Sequence, residues 1–277
     1  MPELPEVELG RRQLEEALLG QTLAQVDAAD DSIVFEGVCS SDIVDALRGA
    51  QVLGAHRRGK QLWLSLNRRP WPLFHFGMTG GFVTPDAPGL QLRTGPSLDA
   101  CWPPRFSKLS LTTASGRRLA MTNARRLGRI RLRHDPPNEV PIADLGFDPL
   151  LEPPRAGELY GKLRQRRGMI KSLLLDQGFA AGVGNWVADE VLHGAGIDPR
   201  RAANTLTTQD AGRLARALTD VIKKAVDVDA DADRYPEGWL FHRRWNPTTG
   251  MVTATGDPIE LLKVAGRTTV WVPARQR

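Results

Sequence analysis

Proline at position 2, directly after an initiator methionine, and glutamates at positions 3 and 6 place a nucleophile and two acids in the opening segment MPELPEVE. Removal of Met1, which a small following residue favours, would leave Pro2 carrying the α-amino group as a secondary amine. An α-amino group has a reference pKa near ~8 against ~10.4 for lysine, so far more of it is unprotonated and nucleophilic at neutral pH. Attack by such an amine on an aldehyde-level carbon gives an iminium, which stays cationic and acts as an electron sink. Glu3 and Glu6 put two carboxylates within one turn of the amine, suited to moving protons and holding the cation. The plainer alternative is a proline-flanked leader before an ordinary amphipathic helix.

Such a group has to sit at the leading end of an element. Val7, Leu14, Ala17 and Leu18 recur at helical spacing and stop at Gly20, which predicts a helix over residues 7–19. Strand-like runs follow at residues 22–29, 33–38, 51–57, 61–66, 73–76, 106–113 and 117–122, with a short helix from Ser41 or Asp42 to Leu47. Repeated short strands separated by Gly and Pro predict a β-sandwich with the first helix packed on it. Residues 86–104 read as a surface loop. Arg129, Arg131 and Arg133 alternate with Ile130 and Leu132, a strand with one cationic and one apolar face. Residues 135–154 are proline-rich and read as an interdomain hinge that would let a cleft close. Beyond them the pattern turns helical at residues 159–166, 169–177 and 186–193, and Thr207 with Asp210 has capping-box spacing before a helix over 214–226. At Gly182 to Asn185, GVGN allows a tight turn at a helix N-terminus, whose free N–H groups suit a phosphate, with Asn185 as a further donor. Taken alone, such a turn also serves as a cap joining two structural helices.

Lys and Arg exceed Asp and Glu, 37 against 32, for a net charge of +5. That balance favours a polyanionic partner. Arg117 to His134 hold seven arginines and no acid, a local field that a solvated surface would not require. Cys39 and Cys101 are the only cysteines, which excludes a disulfide framework and an all-cysteine metal site. With no apolar run of about 18 residues and no signal-peptide pattern, the expectation is a soluble intracellular protein with no membrane partner.

PELPEVE, RRGK, HFGMTG, NARRLGRIRLRH and IKSLLLDQGFAAGVGNWVADEVLHGAGIDP together resemble the formamidopyrimidine-DNA glycosylase family, bifunctional enzymes that excise oxidised purines and nick the backbone. The matches recur over essentially the whole chain. Leu4 and Val7 resemble the oxidised-purine branch; endonuclease VIII-type relatives usually begin PEGPE. The resemblance implies that Pro2 attacks the sugar while Glu3 assists proton transfer, with Glu6 and Lys60 completing the catalytic set. It implies that Lys60 and His75 contact phosphate and that Met78 fills the space left by a flipped nucleotide. Arg125 would pair with the orphaned base, Arg126 bind phosphate and Leu127 wedge the stack. Asn123 and Ala124 stand where the family has Asp and Pro, and Leu127 where it has Phe, so a weaker wedge is expected. Asn185 and Lys171 join the expected phosphate site, and Glu190 is expected to be structural.

The family usually ends in a zinc finger with two CxxC pairs. Aligning TGDPI and GRTTVWVPARQ with it puts Val252, Thr255, Val272 and Arg275 at the cysteine positions, none able to supply a thiolate. The expectation is a zincless finger resembling the plant and fungal branch, with no metal and no cofactor. Residues 251–255 would pair with 268–272 as a hairpin held by side-chain packing, with Arg267 at its tip gripping phosphates.

The expected architecture is α+β. It comprises an N-terminal catalytic β-sandwich with flanking helices (1–134), a hinge (135–154), a helical domain with a helix–two-turn–helix (155–245) and a zincless β-hairpin finger (246–277). The expected function is a glycosylase and AP lyase acting as a monomer on double-stranded DNA with oxidised bases or abasic sites, in the nucleus if eukaryotic. Bacterial relatives close a loop rich in glycine and threonine over 8-oxoguanine. Residues 227–237 are short and acidic instead, so formamidopyrimidines and further-oxidised guanines are expected to be better substrates. Two other readings compete: a non-catalytic DNA-damage binding protein, which an uncleaved Met1 would produce, and a general single-strand binder, which needs stacking aromatics that the scattered tryptophans do not provide.

Overall fold

A computed structural model describes residues 1–85, 101–245, 248 and 250–277, so most of the expected 86–104 loop lies outside the described residues. The chain divides into two units. The first holds Met1–Pro2 and Glu6–Asp144, the second Glu3–Pro5 and Leu145–Arg277. No helix among the described residues is long and apolar enough to cross a membrane.

In the first unit, α1 (Leu4–Leu18) begins three residues before the predicted helix. Pro5 lacks an N–H but falls in the first turn, where none is needed. Strands β1 (Leu23–Ala28), β2 (Val52–Arg58), β3 (Gln61–Leu66), β4 (Trp71–His75), β5 (Gly81–Val83), β6 (Ser107–Thr113), β7 (Arg118–Thr122) and β8 (Arg129–Arg133) form two four-stranded sheets, β1-β6-β7-β5 and β2-β3-β4-β8. Every strand pair in them is antiparallel. One apolar cluster joins Val26, Leu111 and Met121 of the first sheet to Leu62, Phe74 and Ile130 of the second. Leu14 and Leu18 of α1 and Ile43 and Leu47 of α2 (Ser40–Leu47) complete it. Burying each such side chain stabilises the fold by roughly 1.5–3 kcal/mol.

Residues 33–38 do not form the expected strand. The Asp31 carboxylate accepts the N–H groups of Ile33 and Val34, each at 3.2 Å, and winds the segment into turns. Only a single bridge from Phe35 to Ile130 remains. Val34 and Phe35 are buried, so the apolar run fills the core without joining a ladder.

The second unit contains α3 (Ala156–Arg164), α4 (Ile170–Leu175), α5 (Asn185–Ala195) and α6 (Thr208–Asp227). α6 starts at the capping box read from the sequence: Asp210 N–H donates to Thr207 Oγ1 at 3.1 Å and Thr207 N–H to Asp210 Oδ2 at 2.9 Å. After α6, Tyr235, Trp239 and Phe241 stack around Trp186 of α5. The proline-rich stretch 135–154 is packed at both ends: Ile142 against Trp63 and Leu73 in the first unit, Phe147 against Phe179 in the second.

The finger hairpin differs from the expected pairing. β9 (Glu260–Val264) pairs with β10 (Arg267–Trp271), Arg267 opposite Val264 and Trp271 opposite Glu260. The turn is Ala265–Gly266, both at positive φ (50° and 71°), a two-residue connection whose twist matches a hairpin. Residues 251–255 make only a bridge from Val252 to Pro258. Metal-site spacing marks where ligands converge, and strand pairing is set by the tight turn instead.

Candidate functional site

Pro2, Glu3, Glu6 and Lys60 are all buried, Glu3 to 3 % and Lys60 to 9 % exposure. Glu3 belongs to the second unit because its carboxylate sits on the N-terminus of α5. Trp186 N–H donates to Glu3 Oε1 at 3.0 Å and Val187 N–H to Oε2 at 3.1 Å. A Cβ on Gly184 would lie 2.3 Å from the Glu3 carboxyl carbon, so only glycine allows this approach. Gly182, at φ +88, accepts Leu4 N–H at 3.0 Å. The GVGN turn therefore brings the free amides of Trp186 and Val187, at the positive dipole end of α5, onto an internal carboxylate. Asn185 is half-buried, and its amide donates to Thr268 O of the finger at 3.0 Å.

Lys171 is not on a DNA-facing surface. Its side chain is 0 % exposed, and Nζ donates to Asp189 Oδ1 and Thr269 Oγ1, both at 2.6 Å. Asp189 also accepts Arg244 Nη1 at 3.1 Å and Val270 N–H at 3.2 Å. Burial pushes the Lys171 ammonium down and the Asp189 carboxyl up, and their mutual attraction opposes both shifts. The network ties α4, α5, the segment after α6 and β10 together, and corrects the expectation that Lys171 contacts a phosphate. Glu190 is structural as expected: fully enclosed, pushed by burial up to about 8, and bonded by the Phe241 N–H.

In the first unit, Lys60 follows Gly59 (φ +56) at the turn between β2 and β3. Neighbouring Arg57 is buried on Glu8 of α1 at 3.0 Å. His75 ends β4, opposite Arg129 of β8. Burial first, then the charges of Lys60, Arg131 and Arg129, lower its imidazole to about 4. Gly77 N–H meets His75 Nδ1 at 3.2 Å, which assigns the proton to Nε2 and leaves a neutral ring able to donate. Arg129 and Arg131 both hold Glu36, at 2.8 and 2.7 Å.

Two turns carry the residues expected to enter the duplex. Met78, half-buried, lies in the turn closed by Gly80 N–H on Phe76 O at 3.0 Å. Arg125 and Leu127, both exposed, lie in the turn opened by Asn123 and ended by Gly128. Between the exposed tips, Arg126 adopts φ +53 and is held by Asp31, whose Oδ2 accepts Nε at 2.9 Å and Oδ1 accepts Nη2 at 3.0 Å. Burial alone would raise the Asp31 carboxyl, but Arg126 and Lys108, the latter at 2.8 Å, hold it well below the usual carboxylate range. Asp31 and Glu36 lie in no motif of the sequence, and Asp189 lies inside the long matched run without a role implied for it. Asp31 and Arg126 are 95 residues apart, and no local pattern joins them.

In the finger, Arg267 is exposed and follows the hairpin turn. The four positions aligned with zinc ligands do not fit a metal. Arg275 Nη2 donates to Thr255 Oγ1 and its Nε to Asp257 Oδ2, both at 2.6 Å. Val272 is fully buried with Leu240, Ile259 and Val270, whereas Val252 is 47 % exposed. The expected packing therefore operates at one of the two valine positions, and a polar clasp joins the other pair. Among the described residues no group of three or more His, Cys, Asp or Glu side chains could hold a metal.

Residues 1–130 match the model of the formamidopyrimidine-DNA glycosylase N-terminal domain, and residues 145–236 that family's H2TH domain. A formamidopyrimidine-DNA glycosylase of Arabidopsis thaliana is 39 % identical over 278 residues, covering 100 % of this chain and 71 % of that one. One of Thermus thermophilus is 34 % identical over 288 residues, covering 100 % and 98 %. The crystal structure of the Lactococcus lactis enzyme non-covalently bound to DNA containing an AP site superposes with a TM-score of 0.79, at 25 % identity and 99 % coverage of both chains. By these matches, spanning both units, the chain belongs to the formamidopyrimidine-DNA glycosylase family.

Proposed function

We infer that the chain is a DNA glycosylase of base excision repair with AP lyase activity, acting as a monomer on double-stranded DNA that carries oxidised purines or abasic sites. The observation that carries this reading is the Glu3 carboxylate, oriented by two α5 amides and covalently next to Pro2. Once Met1 is removed, the Pro2 nitrogen attacks C1′, the bond from C1′ to the base breaks, and Glu3 delivers a proton at the sugar ring oxygen as the ring opens. The iminium acidifies the C2′ protons. Loss of one expels the 3′ phosphate by β-elimination, δ-elimination then expels the 5′ phosphate, and hydrolysis releases the sugar and returns the amine. Glu6, four residues from the amine along the chain, and Lys60, both buried, complete the catalytic set.

Neutral His75, Lys60, Arg126, Asn185 and Arg267 take backbone phosphates, and Met78, Arg125 and Leu127 occupy the gap left by the flipped nucleotide. Lesion choice follows residues 227–237, which fold back tightly: Asp229 and Ala230 take positive φ and Tyr235 is buried. This leaves little chain to close over 8-oxoguanine, so formamidopyrimidines and further-oxidised guanines are the better substrates. In a eukaryotic cell the site of action is the nucleus.

Borohydride reduction of the enzyme on lesion-bearing duplex tests the reading. A covalent adduct through residue 2 is expected, with Pro2→Gly retaining DNA binding and losing most strand cleavage. Absence of any adduct, with DNA bound normally, leaves the non-catalytic damage-binding protein. Unchanged nicking by Pro2→Gly refutes the assigned nucleophile.

A further inference from the structure

We propose that Asn123 is a positioning residue that locks the Met78 turn to the Arg125–Leu127 turn, so that the two enter the duplex as one wedge and jointly set which opposite base is tolerated. This rests on the glycosylase reading and deepens it.

Asn123 is 1 % exposed and cannot touch DNA itself. Three of its groups hold its own turn and the neighbouring one. Its carbonyl accepts Arg126 N–H at 3.3 Å, its Oδ1 accepts Gly128 N–H at 3.1 Å, and its Nδ2 donates across to Phe76 O at 2.8 Å. Phe76 O is the same acceptor that closes the Met78 turn through Gly80 N–H. One carbonyl thus links both turns.

The glycines around the amide leave it no alternative place. A Cβ on Gly128 would come within 2.3 Å of Asn123 Nδ2 and one on Gly80 within 2.5 Å, while one on Gly77 would meet the Leu127 backbone at 2.3 Å. The two turns therefore touch backbone to backbone, and a shift in one moves the other.

Chemistry separates the amide from the acid that the family usually carries here. A carboxylate can accept Gly128 N–H and hold its own turn, but when ionised it has no proton to donate to Phe76 O. Only the amide reaches across. Leu127 is 43 % exposed and offers the base stack no aromatic face, so its placement depends on the turn beneath it more than a self-stacking ring would. Asn123 and Leu127 then belong together: the cross-turn bond supplies the order that the smaller wedge lacks.

Asn123→Asp tests this, alone and with Leu127→Phe, after thermal unfolding has established that each variant folds. Excision from lesion duplexes, where a base must be extruded, is expected to fall about tenfold in Asn123→Asp, and the discrimination between cytosine and adenine opposite the lesion to narrow. Strand cleavage at an abasic site in single-stranded DNA, which needs no extrusion, is expected to stay at the starting level. In the Leu127→Phe background the same substitution is expected to cost less than about threefold. An equal loss on both substrates, no loss on duplex, or the same loss in both backgrounds would overturn the proposal. Failure of the starting protein to cleave the single-stranded abasic site would instead count against the glycosylase reading itself.

Discussion

Replacing Lys171 by Met separates a buried structural role from a DNA contact. The ammonium is fully enclosed and lies 2.6 Å from both Asp189 Oδ1 and Thr269 Oγ1. Removing one partner of a buried ion pair costs about 3–5 kcal/mol, because the remaining charge stays desolvated. Arg244 and the Val270 N–H still reach Asp189 at 3.1 and 3.2 Å, which puts the cost at the lower end, about 3 kcal/mol. At about 3–4 °C per kcal/mol for a unit of this size, the unfolding midpoint should drop by about 10 °C. Thr269 and Val270 lie on β10, so the strand that begins at Arg267 is held less firmly and DNA affinity falls modestly, with the Arg267 charge still on its phosphate. The dependence of that affinity on salt should keep its slope, since Lys171 neutralises no phosphate. Calorimetry together with binding titrations over a range of salt concentrations decides it. An unchanged midpoint, with the slope of log K against log salt reduced by about one, would place Lys171 on a phosphate and sink the reasoning.

His75 lies at about 4 in the folded protein, below its ordinary value near ~6.5. On acidification the unfolded chain takes up the proton first, so stability is complete above pH ~6.5 and declines toward pH 4. The decline amounts to about 3 kcal/mol, and His75→Gln should remove it. Proton NMR should find no His75 titration between pH 8 and 5; a midpoint near 6.5 would contradict the buried, cation-flanked environment. In the finger, chelators should leave excision unchanged. Arg275→Ala should open the clasp on Thr255 and Asp257 and expose residues 251–258 to proteolytic nicking, without altering the unfolding of the helical core. Equal protease resistance in that variant would mean that the clasp does not hold the finger.

Local signals were legible from the residues alone. The helix behind Pro2, the Thr207–Asp210 cap, the alternation of Arg129, Arg131 and Arg133, and the glycines at 182 and 184 each express a preference confined to a few neighbouring residues. The strand-like runs supplied both sheets except β5 (Gly81–Val83), a three-residue strand too short to show a pattern. The run at 33–38 misled because an apolar stretch fits a core whether or not its backbone joins a ladder, and Asp31 turned it.

What the tertiary structure alone decided is which distant groups meet. Glu3 lies on amides 183 and 184 residues away, Lys171 on Thr269 across 98, and Arg126 on Asp31 across 95. Whether a lysine faces a phosphate or a buried aspartate depends on what the rest of the chain packs against it. No spacing within its own segment encodes that choice. Backbone preferences are set by neighbours along the chain, whereas burial and charge pairing are set by neighbours in space, and the second kind exists only once the chain has folded.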